Sequence, residues 1–457
     1  MNEDWAMKKA IRIGSGSAWW GDRVEPARWN AERGDLDYLC FETMAEATVS
    51  TAQVRKRRDA DFAGYDTYLD DRMTAVLPGC MARGTRIISN QGWINPEGAA
   101  ERVVHHLRAL GVHGKRVAAV GGSVITDRIR TLADRILETG APVSSLGDEI
   151  VSAEVYLGVD GIVEALAGGA DIVLTGRVAD PSLFAAPMIH EFGWDLLDHD
   201  KLGQALGIGH LMECGAQVTG GYFADPGYKT VPDPWNLAFP IAEVGADGAA
   251  VLSKVDGTGG AITLQTVKEQ LLYEVFDPAN YLTPDVVVDF STVRLEEIGP
   301  DRVRVSAISG KPRPQTLKVS IGCIEGFVGE DIFFYAGPGA LDRAKLAARI
   351  LEERFKVVGL VADQVRIDFI GVNAIHGAAT PADAPEPYEV GVRVAGRTKT
   401  RAEAIKIGRE VDGMAVSGVG MTGKRVPHQD RTREIIGVWS SLVPRDQVGH
   451  HINWFES

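Results

Sequence analysis

The sequence has few of the patterns that mark metal-binding, secreted or membrane-spanning proteins. Its 457 residues contain four cysteines, far apart and without a CxxC pair, so neither disulfides nor a zinc site is predicted. The histidines form no HExxH pattern, and no metal or other cofactor is expected. No apolar run reaches the roughly 18 residues that cross a bilayer, and the N-terminus has no signal-peptide core. We therefore expect a cytoplasmic protein.

Positive charge is also scarce, since 62 acidic residues stand against 48 basic ones and the net charge at pH 7 is −14. Such a chain is not attracted to nucleic acid or to an anionic membrane surface, so neither is expected as a partner. An anionic small molecule would need a locally basic pocket. We expect a homo-oligomer that acts on a small molecule.

The first half of the chain alternates short β-rich runs with segments of helical length. This alternation predicts a mostly parallel, Rossmann-like α/β sheet with helices on both faces. Asn95, followed by Pro96, predicts the N-terminus of one of these helices. Ligands bind beyond the carboxyl ends of strands in such sheets, so the polar strand ends mark the expected site. The predicted strands are residues 10–18, 36–42, 85–90, 116–122 and 170–176.

The length of the chain predicts more than one domain. Residues 1–225 form the predicted Rossmann-like domain. Residues 226–380 begin with a connector rich in proline and aromatics and form a smaller α+β domain, in which the sequence "IGPDR" predicts a hairpin. Residues 381–457 are expected to be a C-terminal tail packed on the body.

The opening "GSGSAWWGD" (14–22) partly matches a dinucleotide-binding fingerprint. Its third glycine position is Trp19, which is too large for the close helix contact that this motif requires. The stretch therefore predicts a tight turn at the rim, with Ser15 as a candidate ligand-binding residue.

Glu42 ends the second predicted strand and is the candidate general base, because partial burial would raise the pKa of its carboxyl group. The alternative is a carboxylate at a helix start, stabilised by the helix dipole. Glu46, four residues on, would share a helical face with Glu42. Asn90 and Gly92 precede a predicted helix N-terminus, which suits an anionic group.

The stretch "LTGRVADPSL" (174–183) combines Thr175, Gly176 and Arg177 at the end of a predicted strand. Arg177 is predicted to bind a carboxylate or phosphate. The alternative is that Asp180 caps the next helix and Arg177 pairs with Asp180 or Asp148.

Backbone amides near Gly176 are predicted to stabilise an oxyanion. Gly121 and Gly122 end another predicted strand, and amides near Gly121 share this predicted role.

Two further stretches carry candidate residues. Cys214, beside Glu213, is either a nucleophile or a packing residue. The turn at 256–260 enters a helix and resembles a phosphate cradle. Its candidate binding residues are Lys254, Thr258, Gly259 and Gly260. The alternative is a flexible helix entry that binds nothing.

The blocks "GSGSAWWGDR", "YLCFETMAEAT", "ISNQGWINPEGAA", "LTGRVADPSL" and "KVDGTGGAITLQTVKEQLLYEV", in this order, resemble the acyclic terpene utilisation (AtuA) family. The resemblance implies a catabolic role on branched acyl-CoA intermediates or small organic acids. Longer relatives have an additional C-terminal ferredoxin-like domain. The resemblance therefore implies a separately encoded small ferredoxin-like partner subunit.

The expected function is a catabolic enzyme acting on an acyl-CoA thioester or small carboxylic acid by a hydratase or lyase reaction. One alternative is a thioester hydrolase that uses Cys214. The other is a non-catalytic acyl-CoA-binding subunit that works with the small partner.

Overall fold

The computed structural model describes residues 10–424 and 431–457. The described chain forms two compact units, one made of the residues up to Gly322 together with Val438–Ser457, and the other of Cys323–Gly437. No helix in these residues is long and apolar enough to span a membrane.

The strands and helices follow in chain order. The strands are β1 (Ala10–Ser17), β2 (Tyr38–Phe41), β3 (Arg86–Ser89), β4 (Arg116–Gly121), β5 (Ile150–Val155), β6 (Ile172–Thr175), β7 (Ile241–Gly245), β8 (Ala250–Ser253), β9 (Tyr281–Leu282), β10 (Val287–Asp289), β11 (Arg294–Gly299), β12 (Arg302–Ser306), β13 (Ser309–Lys311), β14 (Thr316–Ala336), β15 (Gln364–Ile370), β16 (Glu389–Thr398), β17 (Gly423–Lys424), β18 (Thr432–Pro444) and β19 (His451–Glu456). The helices are α1 (Glu25–Arg33), α2 (Glu46–Arg58), α3 (Leu69–Arg83), α4 (Pro96–Ala109), α5 (Ile129–Leu132), α6 (Asp160–Ala167), α7 (Asp180–Phe192), α8 (His199–Glu213), α9 (Leu264–Leu272), α10 (Ala340–Val357) and α11 (Arg401–Ser417).

The main sheet of the first unit has the strand order β11-β12-β8-β7-β1-β2-β3-β6-β4-β19. Its centre, β1-β2-β3-β6-β4, is parallel. The flanking strands are antiparallel, because short turns join β7 to β8 and β11 to β12 and leave no room for a crossover. The mixed α/β class is thus confirmed. A mostly parallel sheet is not, since antiparallel pairings outnumber parallel ones among the described strands.

Apolar side chains on alternate strand positions fill a core on each face of this sheet. Cys40 and Val173 pack with α7 and α8 on one face. Leu39, Phe41 and Leu174 pack with α3 and α4 on the other. Asn95 caps α4 as predicted, since its side chain accepts a hydrogen bond from the Gly98 amide and Pro96 occupies the first helical position.

The predicted domain boundaries do not coincide with the two units. Strands β7, β8, β11 and β12, predicted in the smaller domain, extend the main sheet from β1. Strand β19 pairs with β4 at the other edge, so the C-terminal residues form part of the sheet and not only a tail. These pairings satisfy backbone groups that two open edges would leave exposed. The predicted hairpin at "IGPDR" is confirmed by the β11–β12 pair.

The second unit is an antiparallel sheet with the order β15-β16-β14-β17. Helices α10 and α11 contribute Leu351 and Ile407 to a core with Phe333, Val392 and Val394 of the sheet. The apolar residues of α10 recur at helical spacing, so one face of the helix is apolar and packs on the sheet.

Candidate functional site

The candidate site lies beyond the carboxyl ends of the parallel strands, where ligands bind in open α/β sheets. Glu42 follows β2, and Asn90 follows β3. Arg177 and Asp180 follow β6 in the same way. The end of α8 adds Glu213 to these side chains, although it lies far along the chain.

Two adjoining cavities open at this edge, and both belong to the first unit. The first cavity, of about 710 Å³, has mainly apolar walls with the pair Glu46 and Lys318. The second cavity, of about 490 Å³, contains Glu42 and Cys214 in its wall. The residues that line both are Met44, Ala45, Asp180, Glu213 and Glu274. Three carboxyl groups therefore stand where the two cavities meet.

Glu42 is buried, with 5% of its surface exposed. Its Oε1 accepts hydrogen bonds from the Met44 amide and from Asn90 Nδ2. Burial raises the pKa of Glu42 well above its usual value, and Asp180 raises it further, whereas Arg177 and the two hydrogen bonds lower it. Asn90, predicted to bind a ligand, instead orients Glu42 and accepts a hydrogen bond from the Thr43 amide at 2.7 Å.

Asp180 is the first residue of α7 and faces both cavities. It is not the helix cap that the sequence suggested, because Ala179 occupies that position and no side chain caps the helix. Burial raises the pKa of Asp180 to about 6, against the lowering effect of Arg177. One third of the side chain remains exposed, so this carboxyl group is open to a ligand.

Arg177 binds groups of the protein itself. Its Nη2 donates to Met44 O at 2.6 Å and Ala45 O at 3.0 Å, and its Nη1 donates to Asp180 Oδ1 at 3.0 Å. The guanidinium also lies over the Tyr156 ring, 4.6 Å from the centroid. The predicted anion site at Arg177 is not supported, because both Nη groups already serve protein acceptors. The alternative pairing with Asp180 is present, and Asp148 pairs with Arg130 instead.

Glu213 forms a buried pair with His210, whose Nδ1 lies 2.9 Å from Glu213 Oε1. Burial raises the pKa of Glu213 well above its usual value, and Asp180 and Glu274 raise it further. Burial lowers the pKa of His210 to about 4. The imidazole is therefore neutral near pH 7, and Glu213 keeps a proton to higher pH than an exposed glutamate does.

Glu274 is the third acidic residue that lines both cavities, with Asp180 and Glu213. Its backbone is left-handed, with φ of 59°, just beyond the end of α9. Such a conformation is uncommon for glutamate and turns the chain sharply after the helix. The negative charge of Glu274 acts on both Asp180 and Glu213 and raises their pKa values.

Cys214 lies in the wall of the second cavity, yet its surroundings oppose a nucleophilic role. Burial raises the pKa of the thiol, and Glu213, Glu42 and Glu274 raise it further. The reactive form of cysteine is the thiolate, which these carboxyl groups disfavour. The neighbouring His210 is bonded to Glu213.

Several predicted binding residues lie inside the protein and line neither cavity. Ser15 and Thr175 are fully buried in β1 and β6. The Gly176 amide donates to Val120 O, so it is not free to stabilise an oxyanion. The other glycines allow close packing, since an added Cβ would overlap Thr175 O at Gly92, His451 at Gly121 and Gly449 O at Gly122.

The predicted phosphate cradle at 256–260 is filled by the protein's own groups. The amides of Gly259 and Gly260 donate to Asn236 O and Pro232 O at 2.8 and 2.7 Å. Lys254 donates to Thr258 O and pairs with Asp301, and Thr258 Oγ1 donates to Val255 O. The helix that follows is capped by its own Thr263 and Thr266. None of these groups is left to bind phosphate.

Sequence reasoning missed Glu213, Glu274, Tyr156 and Lys318 as site residues. Glu274, Tyr156 and Lys318 belong to segments in which no local pattern marks a site. Glu213 stands beside the candidate Cys214, but no local pattern assigns it a role. Glu46 does not share a helical face with Glu42, because α2 begins at Glu46 and Glu42 lies in the loop before it. Among the described residues, no group of three or more His, Cys, Asp or Glu has the arrangement of a metal site.

Comparison with known proteins identifies the family of this chain. No curated protein is similar enough to be matched. The family model described as "Acyclic terpene utilisation family protein AtuA" matches residues 11–454, nearly the whole chain. The matched range includes every residue of the two cavities. The chain therefore belongs to the acyclic terpene utilisation family.

Proposed function

We propose that the chain is a catabolic enzyme of hydratase or lyase type, acting by general acid and base catalysis on a small acyl compound. The observation that carries the proposal is the group formed by Glu42, Asp180 and Glu213. All three have raised pKa values and line adjoining cavities. Carboxyl groups with such pKa values in a cleft are typical of acid–base sites.

The different surroundings of two carboxyl groups suggest their roles. Removing water next to a carbonyl needs a base that takes the α-proton and an acid group that donates a hydrogen bond to the carbonyl oxygen as the enolate forms. The protonated base can then return the proton to the departing hydroxyl. Asp180, with a pKa of about 6, ionises first and is the proposed base. Glu42 is buried more deeply and keeps its proton to higher pH, so it is the proposed acid and not the base expected from the sequence.

The walls of the first cavity favour an uncharged acyl group over a free acid. Phe276, Leu282 and Leu317 provide apolar surface for a branched chain. Glu46 neutralises Lys318 at 2.5 Å, while Asp180 and Glu274 would repel a carboxylate. We therefore propose a thioester as the substrate form. Since the residues of the predicted phosphate cradle are occupied, this choice rests on the acyl part alone.

The cysteine hydrolase is less well supported, because burial, together with the nearby carboxyl groups, raises the pKa of the Cys214 thiol and keeps it protonated. The non-catalytic subunit is also less well supported, because a passive binding site has no need of carboxyl groups with raised pKa values.

The proposal is tested by following exchange of the α-proton of branched acyl thioesters in D2O by NMR, which detects proton abstraction whatever the later steps are. We expect exchange with the wild type. Glu42→Gln and Asp180→Asn should each lower the rate by about 10²–10⁴-fold, the usual contribution of a positioned acid or base. Glu297→Gln, on the exposed face of β11, is the control for a lost charge and should leave the rate unchanged. Full exchange in both site variants would overturn the proposal.

A further inference from the structure

The wall of the second cavity is strongly acidic. Its carboxyl side chains are Asp22, Glu42, Asp180, Glu213 and Glu274, and no lysine, and no histidine, is among the described residues that line it. A cation bound here would favour the ionised form of those carboxyl groups that otherwise hold a proton, because a nearby opposite charge stabilises the charged form, so this wall suits a small positive ion.

Arginines behind the wall neutralise part of this charge. Arg177 pairs with Asp180 and also faces Glu42. Arg23 and Arg72 lie close enough to lower the pKa of Asp22. Glu213 has no such arginine beside it among the described residues. The charges that influence it are those of Asp180 and Glu274, which are both acidic.

Two acceptors in the wall lack hydrogen bonds. Glu213 is 7% exposed, and its Oε1 is occupied by His210, but its Oε2 has no hydrogen-bond partner among the described residues. Gln217 Oε1 is likewise buried and without a partner in the described part of the chain. Both residues line the second cavity. Buried acceptors are normally satisfied, so these two atoms call for a ligand that donates.

Aromatic rings complete the wall. Trp19 and Tyr222 are 48% and 71% exposed, and Tyr222 meets Tyr273 edge to face with centroids 6.1 Å apart. The faces of such rings attract cations, and their apolar surface suits an alkyl group.

We propose that the second cavity binds a small protonated alkylamine, whose N–H groups donate to Glu213 and Gln217 while its alkyl part contacts Trp19 and Tyr222. This goes beyond the proposed function, because it names a ligand class for the second cavity whether or not that ligand reacts. An organic ammonium ion fits better than a metal ion, because the described carboxyl groups do not form a metal-type cluster. An ion with N–H donors can satisfy the two unpaired acceptors.

The test compares n-butylammonium chloride with 1-butanol, an uncharged molecule of similar length, by isothermal titration at constant ionic strength. We expect the ammonium ion to bind at least tenfold more tightly than the alcohol. Glu213→Gln, which keeps the side-chain shape, should reduce ammonium affinity about tenfold. Tyr222→Leu, at a position that is 71% exposed, should also reduce it. Glu297→Gln is the matched control for lost charge and should bind as the wild type does.

Equal affinity for the alcohol and the ammonium ion would overturn the proposal, as would unchanged ammonium binding in a folded Tyr222→Leu protein and in Glu213→Gln. Binding is measured without turnover. A wild type that exchanges the α-proton but does not bind the amine would refute this inference alone. A wild type that binds the amine but shows no exchange would refute the proposed function alone.

Discussion

Glu154 offers a test of the electrostatics around the site through protein stability. The residue is 2% exposed and accepts a hydrogen bond from Ser123 Oγ at 3.0 Å. Burial raises the pKa of its carboxyl from 4.5 to about 7, although Ser123 and Arg177 lower it. The folded state therefore holds this proton more tightly than the unfolded chain does.

The sign of the effect follows from this difference. Between about pH 4.5 and 7 the folded state binds more protons than the unfolded state, so stability falls as the pH rises. At 1.36 kcal/mol per pKa unit, the shift corresponds to about 3 kcal/mol, lost in full above pH 7. Glu154→Gln removes the titrating group while keeping an acceptor for Ser123.

The assay is urea unfolding of the wild type and Glu154→Gln at pH values from 5 to 8. The two proteins should be similarly stable at pH 5, and the variant should gain on the wild type by up to about 3 kcal/mol at pH 8. A difference between the two proteins that does not change with pH would refute the reasoning, since it would show that Glu154 has the same pKa in both states.

Three further predictions concern residues that the sequence marks as candidate binding or catalytic groups. Arg177→Met should destabilise the protein by about 3–5 kcal/mol in urea unfolding, because Asp180 and two carbonyl oxygens lose their buried partner; stability equal to that of the wild type would contradict this. Cys214→Ser should keep α-proton exchange within about tenfold of the wild type, far from the 10²–10⁴-fold loss of a catalytic group; a larger loss would revive the cysteine mechanism. Gly259→Ala should cost about 1–3 kcal/mol in thermal or urea unfolding, since its Cβ would overlap Asp233 O, whereas Gly413→Ala, which has open space in α11, should not destabilise.

Local patterns in the sequence predict the parts of the site that depend on strand ends. Glu42 follows β2, and the carboxyl ends of parallel strands meet at one edge whatever the rest of the fold does. Asp180 stands at the same edge after β6, but its sequence context predicts only a helix cap. Asn95 could also be predicted, as a helix cap, because capping depends only on neighbours within one helical turn.

The remaining parts depend on contacts between distant segments. The turn at 256–260 has the composition of a phosphate cradle, but its amides bond to carbonyl groups some 23 to 28 residues earlier in the chain, which no local pattern indicates. Arg177 likewise finds its acceptors at Met44 and Ala45, more than 130 residues away. Strand β19 joins the sheet because β4 offers an open edge, and the sequence of β19 alone does not reveal that partner.

The pH dependence of α-proton exchange tests the central claim most directly. With a branched acyl thioester, the rate should rise as Asp180 ionises near pH 6 and fall at higher pH as Glu42 loses its proton. Asp180→Asn should abolish the rise, and Glu42→Gln should abolish the fall, while both lower the rate at the optimum. An unchanged profile in the two variants would show that these carboxyl groups do not carry the chemistry.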